Sequence, residues 1–305
     1  MTMLTRGLFA AIVASMIATQ VFSADLLSVA KQESASTVPR SAISFGVGGN
    51  LNYSVYDYQY IYAVGNGTYF DQRGNSLATG YAQGPLKLAM NSQARVAPTV
   101  QVKYFRYIDG SNLLFGANYS YSYLQSKSTA KNILIPQWGE SYLRDGAPLQ
   151  SVGNAYAHTY QSSLTHQMQL TPFVGYGLSN GFLYIGAGPS LSQVQTNIFQ
   201  LIGFAKVSDQ TTNQSGGPQN FSGSHWVFGG AVTAGGTYFL NHDWYLDFNY
   251  TYSQPRTPTN NYWSTFVNPV DSRIFLAGTL TGSSYGAVTS HSFVATLNYA
   301  LDLSK

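Results

Sequence analysis

The sequence predicts an all-β chain, an eight-stranded antiparallel up-and-down transmembrane β-barrel, and three observations predict it. Segments with apolar residues at every second position recur along the 305 residues, the period of a strand with one apolar face. The connectors between them alternate in length. Asp109-Gly110, Asn180-Gly181 and Asn241-His242-Asp243 are short, whereas residues 57–93, 128–159, 198–224 and 256–287 form long polar stretches. Tight hairpins at one end and long loops at the other are the pattern of a barrel that crosses a membrane. Finally, only 9% of residues are charged, against roughly 25% in an ordinary soluble protein. The polar face is built instead from Gly, Ser, Thr, Asn and Gln, which suits an enclosed interior and leaves the apolar face for lipid.

Residues 1–24 read as a secretory signal peptide: Arg6 gives a positive start, Gly7 to Thr19 is an apolar run too short to span a bilayer as a helix, and Gln20-Val21-Phe22-Ser23-Ala24 offers a cleavage region. Residues 25–41 are a polar periplasmic lead-in, and 42–305 form the barrel with four long extracellular loops. The chain has no cysteine, which excludes a disulfide framework and thiol chemistry. A net charge of +3 without a basic cluster in the sequence gives no reason to expect nucleic acid.

The eight strands fall near Ile43–Tyr56, Arg95–Tyr107, Leu113–Lys127, Tyr160–Leu178, Phe182–Asn197, Trp226–Leu240, Trp244–Ser253 and Ser290–Leu303. Two-residue turns at Asp109-Gly110 and Asn180-Gly181 set a register in which Tyr104 opposes Phe115, Val102 opposes Ala117, Leu178 opposes Leu183 and Tyr176 opposes Ile185. Every such pair is apolar with apolar, and a one-residue slip would break them all. In this register Pro172 opposes Pro189. Proline cannot donate to a ladder, so a bulge or local irregularity is expected there.

Gly229–Thr257 (GGAVTAGGTYFLNHDWYLDFNYTYSQPRT) resembles the penultimate hairpin of small OmpA-like outer-membrane barrels of the opacity-protein type. Leu170–Leu191 (LTPFVGYGLSNGFLYIGAGPSL) resembles the preceding hairpin, and Ile43–Tyr53 (ISFGVGGNLNY) the Gly-rich opening strand. The resemblance implies export to the outer membrane of a Gram-negative bacterium, contact with outer-membrane lipid and lipopolysaccharide, and insertion by the barrel-assembly machinery. The chain departs from the family in ending Leu301-Asp302-Leu303-Ser304-Lys305 rather than in an aromatic residue, and in its longer loops.

Of the 24 tyrosines, eight outward ones with two tryptophans are expected to form two aromatic girdles: Tyr104, Tyr176, Tyr238, Trp244 and Tyr299 near the short turns, and Tyr53, Tyr121, Tyr123, Tyr252 and Trp226 near the long loops. Large inward residues cluster by the short turns. Phe105, Phe173, Phe182, Tyr184 and Tyr245 are expected to plug the periplasmic end, leaving a cup that is wetter toward the outside. Arg95, Lys103, Asp247 and Asp302 face inward and are candidates for an interior ion pair. In the fourth loop Trp263, Phe266, Ile274 and Phe275 are more apolar than a solvated loop needs, and are candidates for contact with an extracellular ligand.

His166 faces outward at headgroup level, opposed by Gln195 with no carboxylate on its face, so no triad assembles. His158, His225 and His291 lack metal-ligand spacing. No catalytic residue, cofactor or metal is assigned. The expected function is that of a monomeric outer-membrane barrel, not an enzyme, with a structural or surface-interaction role carried by its loops. The alternative is a small-solute porin-like channel, and a lipid-modifying enzyme ranks third.

Overall fold

The computed structural model describes residues 38–144, 146–207 and 210–303. The expected signal peptide (1–24) and residues 25–37 of the expected lead-in lie outside the described residues. Eleven strands form one antiparallel sheet: β1 (Ser41–Asp71), β2 (Ser76–Leu88), β3 (Gln93–Tyr107), β4 (Leu113–Leu143), β5 (Leu149–Leu178), β6 (Gly181–Val207), β7 (Gln210–Asn213), β8 (Gln219–Phe239), β9 (Trp244–Pro255), β10 (Thr259–Pro269) and β11 (Ile274–Asp302). Pairing of β1 with β11 closes the sheet, from Ala42↔Asp302 up to Asp71↔Ile274. The result is a ring of eight staves: β1, β3, β4, β5, β6, β8, β9 and β11. β2 continues the stave of β3 along β1, β10 runs beside β11 beyond the end of β9, and β7 extends the edge of β6.

The segments read from sequence as long loops are therefore mostly strand. β1 and β4 each run 31 residues, on the order of 75 Å at about 2.5 Å of height per tilted residue. An apolar band needs only ~25 Å. The wall thus stands well beyond any bilayer it crosses.

What hid this continuation is a change of parity. In β1 the buried inward set runs Asn50, Asn52, Ser54, Tyr56 and then Gln59, Ile61, Ala63. In β5 it changes from Thr171 and Gln167 to Leu164, Ser162 and Tyr160, and in β6 from Ser192, Val194, Thr196 and Ile198 to Leu201 and Ala205. Register shifts mark the changes, between Tyr56 and Gln59, Tyr123 and Ser126, Leu164 and Gln167, and Ile198 and Leu201. Gln125, Asn132 and Gln200 adopt positive φ of 47°, 55° and 54° at or near these sites, as residues in or beside β-bulges do. A strand pattern interrupted this way no longer alternates in sequence.

The bulges divide the barrel into two storeys of opposite chemistry. Below them the wall is apolar outside: Val47 is 65% exposed, Val96 80% and Phe228 68%. The interior there is largely polar, with Ser44, Asn52, Gln101, Asn118, Thr251, Ser292 and Asn298 buried. Above them the interior is a conventional apolar core of Ile61, Ile133, Ile135, Tyr160, Ile198, Leu201, Tyr262 and Leu280, and the exterior mixes polar residues such as Lys131, Thr79 and Gln150 with exposed aromatics.

Two of the three short turns differ from expectation. β5 and β6 meet as Leu178↔Gly181, so Ser179-Asn180 is the turn rather than Asn180-Gly181. Tyr176 accordingly pairs with Leu183 and Val174 with Ile185. β3 and β4 are joined by Ile108–Asn112, with Ser111 N donating to Ile108 O and Gly110 at φ 73°, the pattern of a type II turn. Tyr104 therefore pairs with Ala117 rather than Phe115. Both hairpins are displaced by two residues, which keeps every side chain on its assigned face. Asn241-His242-Asp243 is the expected three-residue connector, with Asn241 Oδ1 accepting from the backbone N–H groups of Asp243 and Trp244. The β5–β6 ladder is interrupted between Gln169↔Ser190 and Phe173↔Gly186, the stretch that holds Pro172 and Pro189, though the two prolines do not oppose each other.

Candidate functional site

The lumen is filled at successive levels. At the short-turn end Phe105, Phe173, Phe182, Tyr184, Phe239 and Tyr245 form one buried cluster with Val38, Leu114 and Ala300. Phe105 lies 4.9 Å from Phe182, Phe173 4.9 Å from Tyr184 and Phe239 4.8 Å from Tyr245, between ring centroids. Such tilted pairs contribute roughly 0.5–1.5 kcal/mol each beyond their buried area. Glycines make room for them. A Cβ on Gly116 would stand 2.5 Å from the Phe173 ring, and one on Gly235 2.8 Å from the Tyr184 ring. Phe239 and Leu114 complete the layer without having stood out in the sequence, Leu114 because it sits one residue out of phase with the outward Phe115.

Directly above, Lys103 Nζ on β3 donates to Asp247 Oδ1 on β9 at 2.5 Å, with both side chains fully buried. Lys103 also donates to the Tyr184 hydroxyl at 3.0 Å, and Tyr184 in turn donates to Asp247. Gln101 and Asn249 donate to Asp247 Oδ2 at 3.3 and 3.1 Å. A buried ion pair persists when its remaining donors and acceptors are engaged, and this carboxylate is engaged on both oxygens. The other two charged candidates are elsewhere. Asp302 Oδ2 is 3.4 Å from His242 Nε2 at the rim, and Arg95 is exposed where β3 begins. Parity alone assigns both to the interior, and each lies near a strand end, where parity no longer buries a side chain.

Higher up, Asn52 Nδ2 donates to Ser292 Oγ, Gln167 Nε2 to Ser253 Oγ, and the hydroxyls of Thr99 and Ser122 share a hydrogen bond. Tyr56, Leu124, Leu164, Val194 and Val288 then close a second apolar layer at the bulges, and the upper core closes a third. The interior is thus not a cup that becomes wetter outward. The parity change delivers aliphatic side chains to the upper lumen, which a strict period-two pattern cannot anticipate. The outer mouth keeps a cavity between Gln137, Ser141, Ser151, Gln214 and Ser215 with about 50 Å³ open to the centres of water molecules, room for roughly three or four waters.

The four fourth-loop candidates do not share a surface. Trp263 on β10 points outward and is 65% exposed, whereas Phe266 is buried inside the wall. Phe275 stacks on Phe70 at 5.4 Å across the β1–β11 tip, and Ile274 lies beside it, half-buried. On the outer wall two Tyr–His clusters stand four staves apart. His166 shares a hydrogen bond of 2.8 Å with the Tyr121 hydroxyl and packs against Tyr123 and Trp226. His291 shares one of 2.7 Å with Tyr250 and packs against Tyr53 and Tyr252. His166 pairs with Tyr123 on β4, and Gln195 pairs with Ser163 rather than opposing His166. Near the short turns Trp244 packs on Tyr299 at 5.1 Å.

A closed ring of eight staves with an apolar outer belt, aromatic residues toward both of its edges and a filled lumen that is largely polar within that belt defines a transmembrane β-barrel. No family model matches the chain, and no curated protein matches it. Among solved structures it is similar to Ail, the attachment invasion locus protein of Yersinia pestis, at 10% identity over 79% of this chain and 98% of that one, with a TM-score of 0.25. Neisserial surface protein A is similar at 12% identity over 79% and 96%, with a TM-score of 0.27. The outer membrane protein OprG from Pseudomonas aeruginosa is similar at 8% identity over 86% and 98%, with a TM-score of 0.31. At such scores the assignment of fold rests on this chain's own strand register.

Proposed function

We propose that the chain is a monomeric outer-membrane β-barrel protein with a closed lumen, and that its role is structural or interactive, carried by the storey above the bilayer. The observation that carries this is the filling of the lumen at three levels: the aromatic layer with the Lys103–Asp247 pair, the layer around Tyr56 and Leu164, and the upper apolar core. A barrel of eight strands is only just wide enough for side chains to fill, and here they do. The surface left for function is the wall itself, where Trp138, Trp263, Val267 and Val152 are more than half exposed above the bulges. Outer-membrane lipid with lipopolysaccharide and the barrel-assembly machinery are the partners this location entails, with an extracellular ligand on the upper wall. No enzymatic step enters the proposal.

A small-solute channel is the second possibility. It is favoured by the polar lower lumen, where Asn50 Oδ1, Asn118 Oδ1 and Ser190 Oγ are buried without a protein partner. Recording from single purified barrels in planar bilayers separates the two. The closed-lumen proposal expects no steady conductance, and a large steady conductance would replace it with the channel.

A further inference from the structure

Just above the apolar belt the wall between the second and third staves is not laddered. β2 pairs with β4 only down to Gln83↔Trp138, and β3 pairs with β4 only up to Thr99↔Ser122. The stretch between holds Pro85 and Pro98 on one side and Pro136 on the other, each without a backbone N–H to donate. It also holds Gln125 and Asn132 at positive φ. One side-chain bond crosses it, from Ser128 Oγ to Asn91 O at 2.7 Å. The interruption is thus written into the sequence by proline on both edges.

Four cations surround this slot: Lys87 and Arg95 on one edge, Lys127 and Lys131 on the other, all exposed. Among the described residues none of the four has a carboxylate within salt-bridge distance. The acids nearest in register are Asp57, exposed on β1, and Glu140, which accepts from the Tyr142 hydroxyl. Lys87 Nζ sits 3.8 Å over the Tyr58 ring, which leaves its charge available to an anion. Below the slot the wall continues directly into the belt, through Val96 at 80% exposure and Val100 and Tyr119 beneath it. An apolar belt topped by cations without carboxylate partners and by an unladdered backbone edge has the layout of an acyl chain lying below its anionic headgroup.

We propose that this slot is a binding site for the phosphate of an anionic membrane lipid, with Lys127 and Lys131 contacting the phosphate and Val96, Val100 and Tyr119 the acyl chain. The inference rests on the membrane-spanning reading of the lower storey. It is independent of whether the lumen conducts. Cation–phosphate hydrogen bonds of this kind are charge-assisted, and basic residues at the membrane surface attract anionic headgroups.

The test is lipid retention by the full chain reconstituted in bilayers of neutral phosphatidylcholine mixed with phosphatidylglycerol, read by native mass spectrometry after release. Wild type is expected to retain the anionic lipid about tenfold over the neutral one. The double variant K127Q/K131Q is expected to lose that preference, while R73Q/R273Q at the strand tips keeps it. The charge-preserving K127R/K131R variant shows that the slot still folds and is expected to retain lipid as wild type does. Equal retention by wild type and the K127Q/K131Q variant would overturn the proposal, as would binding of inorganic phosphate alone with no lipid preference. Failure to insert even into neutral bilayers would instead refute the membrane reading itself.

Discussion

Lys103 and Asp247 lie on opposite walls of the barrel and meet at 2.5 Å in its interior, each with no exposed side-chain surface. The pair is also held by Tyr184 and Gln101, so it ties strands β3, β6 and β9 together at one level. Removing one partner leaves a buried charge without its counter-ion, at a cost of about 3–5 kcal/mol. Lys103→Met and Asp247→Leu are each expected to destabilise the barrel by about that much in urea unfolding from vesicles. The double variant is expected to be less destabilised than the sum of the two. Full additivity would show that the pair is not coupled.

The aromatic layer makes a second, separable prediction. Phe182 is fully buried among Phe105, Phe173 and Tyr184. Phe182→Ala is expected to cost about 3–5 kcal/mol without opening a steady conductance, because the layers around Leu164 and Ile135 still close the lumen. A conductance from this variant alone would show that the upper layers do not seal.

The room left by glycine is as specific as the rings. Gly235→Val would place a side chain against the Tyr184 ring and the Phe248 carbonyl. It is expected to destabilise by about 1–3 kcal/mol through overpacking. Gly230, with open space where a Cβ would stand, is expected to accept Ala with little change, and the two unfolding midpoints compare the cases.

The upper core should respond to alkaline pH. Burial pushes the Tyr160 phenol up to about 12, partly offset by hydrogen bonds to Ser284 and Thr196. A folded-state value raised above the unfolded one, near 10, means that the neutral phenol's stabilisation is complete below about pH 10. It is lost as pH rises through about 12, by on the order of 3 kcal/mol. Wild type is expected to lose stability across that window more steeply than Tyr160→Phe. Parallel curves would show that the phenol is not buried in the folded state.

The lower storey was legible in the sequence because its alternation is unbroken: Phe45, Val47, Leu51 and Tyr53 lie outward as their spacing says, and Lys103 and Asp247 inward. The exact register was not, because Asp109-Gly110 and Asn180-Gly181 satisfy a two-residue turn locally, whereas the observed turns use Ile108–Asn112 and Ser179-Asn180. The upper storey was invisible for a different reason. Irregularities near Tyr56, Asn132, Leu164 and Ile198 reverse the inward set, so Ile61, Ile133 and Leu201 fall on positions that a continuous strand would send outward. Lys87, Lys127 and Lys131 look like scattered loop charges in the sequence, and only the interrupted ladder brings them around one slot with Arg95.

The central claim is that the barrel changes from inside-out to right-side-out at the bulges, with the bilayer below them. The chain has no cysteine, so single cysteines report single sites. Val47→Cys below and Leu134→Cys above are both outward and exposed, and Ile135→Cys is inward and buried. In intact outer membranes the account predicts that a water-soluble maleimide labels Leu134→Cys, that only a lipid-soluble reagent labels Val47→Cys, and that neither labels Ile135→Cys. Labelling of Leu134→Cys only from the lipid phase, or ready aqueous labelling of Ile135→Cys, would contradict it.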